Sequence, residues 1–334
     1  MSNPLLIAMK ACRVASILAF LTATSSLIAQ APVKEIPPKE PSDPHNTSER
    51  LREIIVHLSQ TIGERNLTKP KKLNETADYI EKSLESQGYS IERQPFQVSG
   101  YECNNLIAEV VGNDKPKEIV LVGAHYDSAR GTPGANDNGS GLAALMVIAQ
   151  QMRGKQFPRT IRFVAFSNEE PPYFQRDGQM GSMVYAKACR QRRDDLKMVL
   201  SLETMGYFTD APDSQKYPPL LAAMYPSTGN FIGFVSDIKS KPQLTAAVKC
   251  FRKHCTVDAQ SASLPSELQG VGWSDHWSFW QEGYMGLMVT DTALFRYPHY
   301  HAPTDTVDKI EFVRYAQVVD GLAKMIADFA NVQE

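Results

Sequence analysis

His125, Asp127 and Asp137 are residue types that a divalent metal ion accepts, and they stand close together in IVLVGAHYDSARGTPGANDNGSG, residues 119–141. A β-forming run, Ile119 to Val122, leads into the first two. A loop rich in Gly and Pro then carries the third, before LAALMVIAQQM turns helical. Open α/β sheets place their sites at such strand-to-loop junctions. Taken alone, the segment also fits an Asn/Asp/Gly turn with one hydrogen-bonded histidine.

The pattern recurs down the chain. Phe163-Val164-Ala165-Phe166 runs into Ser167-Asn168-Glu169-Glu170, and Met198-Val199-Leu200 runs into Ser201-Leu202-Glu203. Ser274-Asp275-His276 precedes Met285-Gly286-Leu287, and Tyr300-His301 and Asp305-Thr306 follow it. Solvated loops explain such a convergence poorly, because carboxylates buried together are costly without cations. Metal chemistry explains the residue types. Imidazole and carboxylate suit zinc, and one carboxylate shared by two ions about 3.5–4 Å apart makes a co-catalytic pair. Glu169 and Glu170 are neighbours whose side chains point in different directions. One can therefore bind metal while the other acts as a general base toward water.

The elements that position these residues alternate. The sequence predicts helices carrying Leu51, Ile54, Ile55, Leu58 and Ile62, with an Asn46/Glu49 capping box, and then Leu73, Ala77, Ile80 and Leu84, stopped by Gly88. Strands are expected over Ile91–Val98, Asn105–Val111 and 119–124, the last two as a hairpin. After them come helix Ser140–Met152, strand Thr160–Phe166, helix Gly181–Arg190, strand Lys197–Leu202, strand Phe231–Val235, helix Gln243–Phe251, strand Gly286–Val289 and a final helix over Lys309–Val332. This alternation argues for a three-layer α/β/α sandwich with a mixed, mostly parallel central sheet. Two polar stretches, Pro171 to Met180 and Phe208 to Asn230, form long loops, which in a compact domain are usually functional or mobile.

Composition is globular, with 334 residues, 43% hydrophobic and 22% charged. The first residues are different. Lys10 and Arg13, the apolar run Val14–Ile28 and Ala29-Gln30-Ala31 read as a secretory signal peptide over 1–31, so the protein is expected to be exported, periplasmic or secreted. No stable membrane insertion is expected after cleavage. Residues 32–45 are a Pro-rich linker, and 46–334 form a single catalytic domain. Without residues 1–31, which carry two cations and no acids, 33 Lys+Arg face 37 Asp+Glu. A net charge of −4 gives no electrostatic reason to expect nucleic acid as a partner. Cys250 and Cys255 could pair only if the helix ended between them; four separate buried thiols are the alternative.

HYDS, GANDNGSG, NEE, LETMG, SDH and YHAPTDT, in this order and spacing, resemble the secreted di-zinc exopeptidases. That family includes bacterial leucine-preferring aminopeptidases and the related glutamate carboxypeptidases and glutaminyl cyclases. The resemblance covers Asn105 to the C-terminus and implies two Zn2+ per chain. His125 and Glu203 would hold one, Glu170 and His301 the other, and Asp137 would bridge them. Glu169 would be the general base and Tyr300 a donor to the developing oxyanion, while Asp127 would orient the His125 imidazole. Asp275 and His276 look like a supporting pair, His276 being as readily a structural histidine. Glu203 departs from the family, which often has Asp there.

The resemblance implies an exported aminopeptidase acting on peptides with a free N-terminus. The alternatives are a single-zinc glutaminyl cyclase or a carboxypeptidase or dipeptidase, for which Arg176 and Arg296 could grip a substrate carboxylate. A catalytically dead binding module is disfavoured by the intact ligand set and Glu169.

Overall fold

The computed structural model describes residues 44–218 and 221–331. The expected signal peptide lies outside the described residues, as does nearly all of the expected linker. Helix α1 (Pro44–Val56) continues as a π-helical turn over His57–Ile62, and α2 (Pro70–Ser86) follows, with Pro70 in its first turn, where a missing N–H is no loss. Leu51, Ile54, Ile55, Leu58 and Ile62 are all buried, as the helical spacing requires. The first helix starts at Pro44, ahead of the expected Asn46 cap.

Eight strands make one mixed sheet: β1 (Glu92–Val98), β2 (Tyr101–Val110), β3 (Lys115–His125), β4 (Arg159–Phe166), β5 (Asp195–Glu203), β6 (Ile232–Ser236), β7 (Ala259–Ser263) and β8 (Leu287–Thr290). Their order across the sheet is β1-β2-β4-β3-β5-β8-β6-β7. The expected hairpin of β2 with β3 does not form. Instead β2 pairs antiparallel with β1 and β4, and β3 lies beyond β4, parallel to both β4 and β5. The physical reason is burial on both faces. Ile119, Leu121, Val120 and Val122 are all nearly inaccessible, which suits a central parallel strand better than an edge. The hairpin is β1–β2, closed by Ser99-Gly100, both with positive φ (51° and 83°), the conformation that a two-residue turn between twisted strands demands.

Helices cover both faces. They are α3 (Gly139–Met152), α4 (Gly181–Arg192), α5 (Lys241–Phe251), α6 (His276–Gln281), the short α7 (Ala293–Arg296) and α8 (Phe312–Asn331). Val120 and Val122 pack with α1, α2, α3, α5 and α8 in the larger core. Ile119 and Leu121, one residue out of phase, pack with Tyr185, Ala186 and Phe279 of α4 and α6 in the smaller one. The three-layer expectation holds. Strand β7 was not expected, since AQSAS has no apolar run, and α8 begins three residues late because the Glu311 carboxylate accepts the Val313 and Arg314 amides (3.2 and 3.0 Å) as a cap. Leu145 of α3 is fully buried in the larger core. Leu145→Ala should lower the unfolding free energy by about 2–5 kcal/mol in a denaturant titration.

Among the described residues, no helix is long and apolar enough to cross a membrane. Cys250 and Cys255 are both free thiols with separate partners, Asp328 for one and the Gln317 carbonyl for the other.

Candidate metal centre

Strands β3, β4 and β5 are parallel, so their C-terminal ends share one edge of the sheet. His125 is the last residue of β3 and Glu203 the last of β5, while Glu169 and Glu170 lie just past β4. The loop before α3 carries Asp137 between the ends of β3 and β5, and His301 comes from the loop after α7. The helix can approach only because position 141 is glycine. A Cβ there would lie 2.2 Å from the Leu202 carbonyl oxygen.

The side chains form two clusters that share Asp137. Ligand atoms of His125, Asp137 and Glu203 lie within 4.8 Å of one another, and so do those of Asp137, Glu170 and His301. The Nε2 of His125 stands 3.2 Å from Glu203 Oε2 and 3.7 Å from Asp137 Oδ1. On the other side, His301 Nε2 is 3.0 Å from Asp137 Oδ2 and 3.1 Å from Glu170 Oε2. The two oxygens of one carboxylate thus face two different histidines. Glu169 Oε2 lies 3.8 Å from His125 Nε2, beside both clusters.

The electrostatics call for cations. Burial pushes the Glu169 carboxyl well above its ordinary range, with Glu170 and Glu203 adding to the rise, and burial with Asp137 pushes Glu170 to about 8. Burial works against charge on His301, yet Asp137 and Glu170 drive it up to about 11. Asp137 Oδ2 and both Glu170 oxygens are buried with no hydrogen-bond partner. Three carboxylate oxygens without a hydrogen bond, among two imidazole nitrogens, are a donor set that a cation would satisfy, and zinc fits it.

Supporting contacts fix these groups. Asp127 lies 3.4 Å from His125 Nδ1, and its two oxygens also accept the Glu169 and Glu170 amides, at 3.1 Å each. One carboxylate therefore pins the double-glutamate turn and stands beside the imidazole. Ser274 Oγ donates to Glu203 Oε2 at 2.8 Å and is itself bonded to Ser201 Oγ at 2.9 Å, which steadies the longer side chain. Asn168, Thr204 and His301 adopt φ of +59°, +40° and +53°. Left-handed backbone at non-glycine residues costs about 1–3 kcal/mol each, and three of the eight such positions among the described residues flank the site.

A family model for peptidase family M28 matches residues 105–326, and the residues that converge on this centre from His125 to His301 all fall inside it. The chain belongs to peptidase family M28. It is 35% identical over 300 residues to the uncharacterized protein YfbL of Escherichia coli K12, covering 86% of this chain and 90% of that one. It is 29% identical to a probable leucine aminopeptidase of Arthroderma otae, over 65% of this chain and just 56% of that protein's length. Among solved structures, BSAP, a zinc aminopeptidase from Bacillus subtilis, superposes with a TM-score of 0.68 at 15% identity, covering 85% of this chain and 95% of BSAP. A Fimbriiglobus ruber glutaminyl cyclase superposes with a TM-score of 0.61 at 19% identity, covering 89% and 99%. At these identities the superpositions establish the M28 fold alone.

One residue of this M28 centre escapes sequence reasoning, and a second, Asp305, enters it only as part of a polar cluster without a role. Arg65 is fully buried and donates to the carbonyls of Tyr126, Pro133 and Gly134 at 2.8, 2.7 and 2.7 Å, clamping both ends of the loop between His125 and Asp137. Burial lowers its pKa to about 10, held up by Asp305, Asp127, Asp137 and Glu170, so the guanidinium stays charged among the acids. Nothing in ERNLTKP marks it. Asp305 accepts the Asn136 and Asp137 amides at 2.8 and 3.1 Å and the Tyr297 hydroxyl at 2.7 Å. Its presence in the polar YHAPTDT run was the available signal. Arg65→Met would leave the Tyr126 and Pro133 carbonyls without donors, while Gly134 would keep only the Gly139 amide at 3.1 Å. It should cost about 3 kcal/mol or more, read by chemical unfolding of the variant against the parent.

His276 is structural. Its Nε2 meets the Val271 carbonyl at 2.8 Å, and burial lowers its pKa to about 4. Asp275 is buried, and burial raises it to about 7. The half-buried Tyr300 stacks on the His301 ring at 4.0 Å, and burial together with Asp137 and Glu170 keeps its phenol protonated. Glu203 and Tyr300 border an apolar pocket whose wall includes Tyr217, Leu221, Phe231, Phe234, Trp273 and Phe295. The 208–230 loop supplies part of that wall, whereas residues 171–180 supply none of it.

Proposed function

We propose that this chain is an exported zinc-dependent aminopeptidase that removes apolar N-terminal residues from peptides by a co-catalytic two-zinc mechanism. The observation that carries the reading is the single Asp137 carboxylate facing His125 with one oxygen and His301 with the other. His125 and Glu203 would hold one zinc, Glu170 and His301 the other, and Asp137 both. Bound there, the ions would acidify water and polarise a peptide carbonyl.

The chain's own residues perform the remaining tasks. Glu169 takes a proton from water and returns it to the departing amine nitrogen, a role suited to a carboxyl whose basicity burial has raised. Tyr300, protonated at neutral pH, donates to the carbonyl oxygen as negative charge develops on it. Glu203 lines the pocket, where its carboxylate attracts the substrate ammonium while the first side chain packs against the apolar wall. Asp127 and Asp275 support the geometry from behind.

Support for hydrolysis over single-metal cyclisation comes from the complete second cluster around His301. The carboxypeptidase reading loses its main anchor. Arg296 is 6% exposed, and its guanidinium donates to Gln215 Oε1 at 2.7 Å and to the Phe231 carbonyl at 2.8 Å. Arg176 is exposed and lies outside the pocket wall. The basic start, apolar run and Ala29-Gln30-Ala31 support export, testable by the N-terminal sequence of protein recovered outside the cytoplasm.

The test of function is hydrolysis of amino-acid p-nitroanilides by purified protein before and after chelation. Activity on apolar residues that chelation abolishes and zinc restores is expected. Release that survives complete removal of metal would sink the reading, and cyclisation of N-terminal glutamine peptides without p-nitroaniline release would replace it.

A further inference from the structure

Cys250, His254 and Asp328 bring a sulfur, an imidazole nitrogen and a carboxylate oxygen within 4.8 Å of one another, and none of the three belongs to the carboxylate centre. Cys250 is in the last turn of α5, Asp328 is in the last turn of α8, and His254 occupies the turn after α5. Cys250 Sγ is 3.4 Å from Asp328 Oδ2, and His254 Nε2 is 2.6 Å from the same oxygen.

The turn is held firmly. The amides of Lys253, His254 and Cys255 donate to the carbonyls of Cys250 and Phe251 at 2.8–3.1 Å. A Cβ on Gly321 of α8 would come within 2.7 Å of the Cys255 Cβ, so helix and turn are in close approach. The His254 side chain is only 11% exposed, and its Nδ1 is buried without a partner.

Two helix C-termini meet here, and each carries about half a negative charge that favours a cation. An ion pair accounts for His254 with Asp328. The Cys250 sulfur adds a third ligand atom, 3.4 Å from the same Asp328 oxygen, which that ion pair does not require. A divalent ion would use all three atoms, releasing the thiol proton to solvent and binding the thiolate. One sulfur, one imidazole and one carboxylate, with room for water on the exposed side, suit zinc better than the hard oxygen-seeking ions.

We propose that Cys250, His254 and Asp328 form a second metal site that takes one zinc-class divalent ion and ties the end of α5 to the end of α8.

The test uses cobalt(II) as a probe on the chelator-stripped full-length protein. The ligand set of the carboxylate centre contains no sulfur, so thiolate-to-cobalt charge-transfer absorption in the near ultraviolet reports this site alone. The band should appear on titration with cobalt and vanish when zinc is added. Cys250→Ser should abolish it while leaving peptide-bond hydrolysis and the far-ultraviolet circular dichroism unchanged. His254→Gln keeps every thiol and decides the matter should Cys250→Ser fail to fold; its titration midpoint should move to higher cobalt. No band at saturating cobalt, a band that survives Cys250→Ser, or an unmoved midpoint in His254→Gln overturns the proposal.

Discussion

Glu169→Gln protein should keep its metal and lose about 10²–10⁴-fold in kcat, the usual contribution of a general base. The substitution is nearly isosteric, and the Glu169 backbone amide stays bonded to Asp127, so the turn that presents Glu170 to the second cluster should survive. What disappears is the proton acceptor beside His125. Metal content measured on the same preparation separates this outcome from a simple loss of zinc. A variant with full kcat would remove Glu169 from the mechanism, and one stripped of metal would make it a ligand instead.

Asp137→Ala is expected to be the more damaging change. Each cluster would lose one of its three ligands at once, because the two oxygens of this side chain face opposite histidines. Zinc content should fall by about two ions per chain relative to the parent protein. Activity should drop by roughly 10³-fold or more, as the several kcal/mol of charge stabilisation that a metal pair supplies is lost. The comparison variant is Glu203→Asp, which shortens one ligand and leaves Asp137 and the second cluster in place. If Asp137→Ala retains the parent's zinc content, the shared-carboxylate reading fails.

The site was more legible in the sequence than the strand order was. HYDS, NEE and LETMG each put a polar residue where a parallel strand ends, which brings them to one edge, while GANDNGSG and YHAPTDT add theirs from loops. The residues named as ligands therefore meet in space. Pairing between β2 and β4 could not be read, because it depends on where the α3 crossover returns, which is a property of the whole sheet. The asparagines of GANDNGSG show a similar limit. Asn136 Oδ1 accepts the Gly206 amide at 2.9 Å, and Asn138 Oδ1 accepts those of Gly141 and Thr204 at 3.0 Å each, fastening the loop to the exit of β5. Their composition suggests only a turn; their function as fasteners needs the partner strand. Arg65 is the extreme case, since a single cation distant in sequence carries no periodic or local signature.

The Arg65 clamp also separates two kinds of boundary. The family match begins at residue 105, yet the guanidinium that braces the loop between His125 and Asp137 enters from the connection between the first two helices, upstream of it. Strand β1, which closes one edge of the sheet, is upstream as well. A chain trimmed to the matched residues would contain every proposed ligand and still lack the brace that holds the loop between His125 and Asp137. The region matched by the family model is thus shorter than the region that braces the centre, and the difference lies in the segment between the first helix and β2.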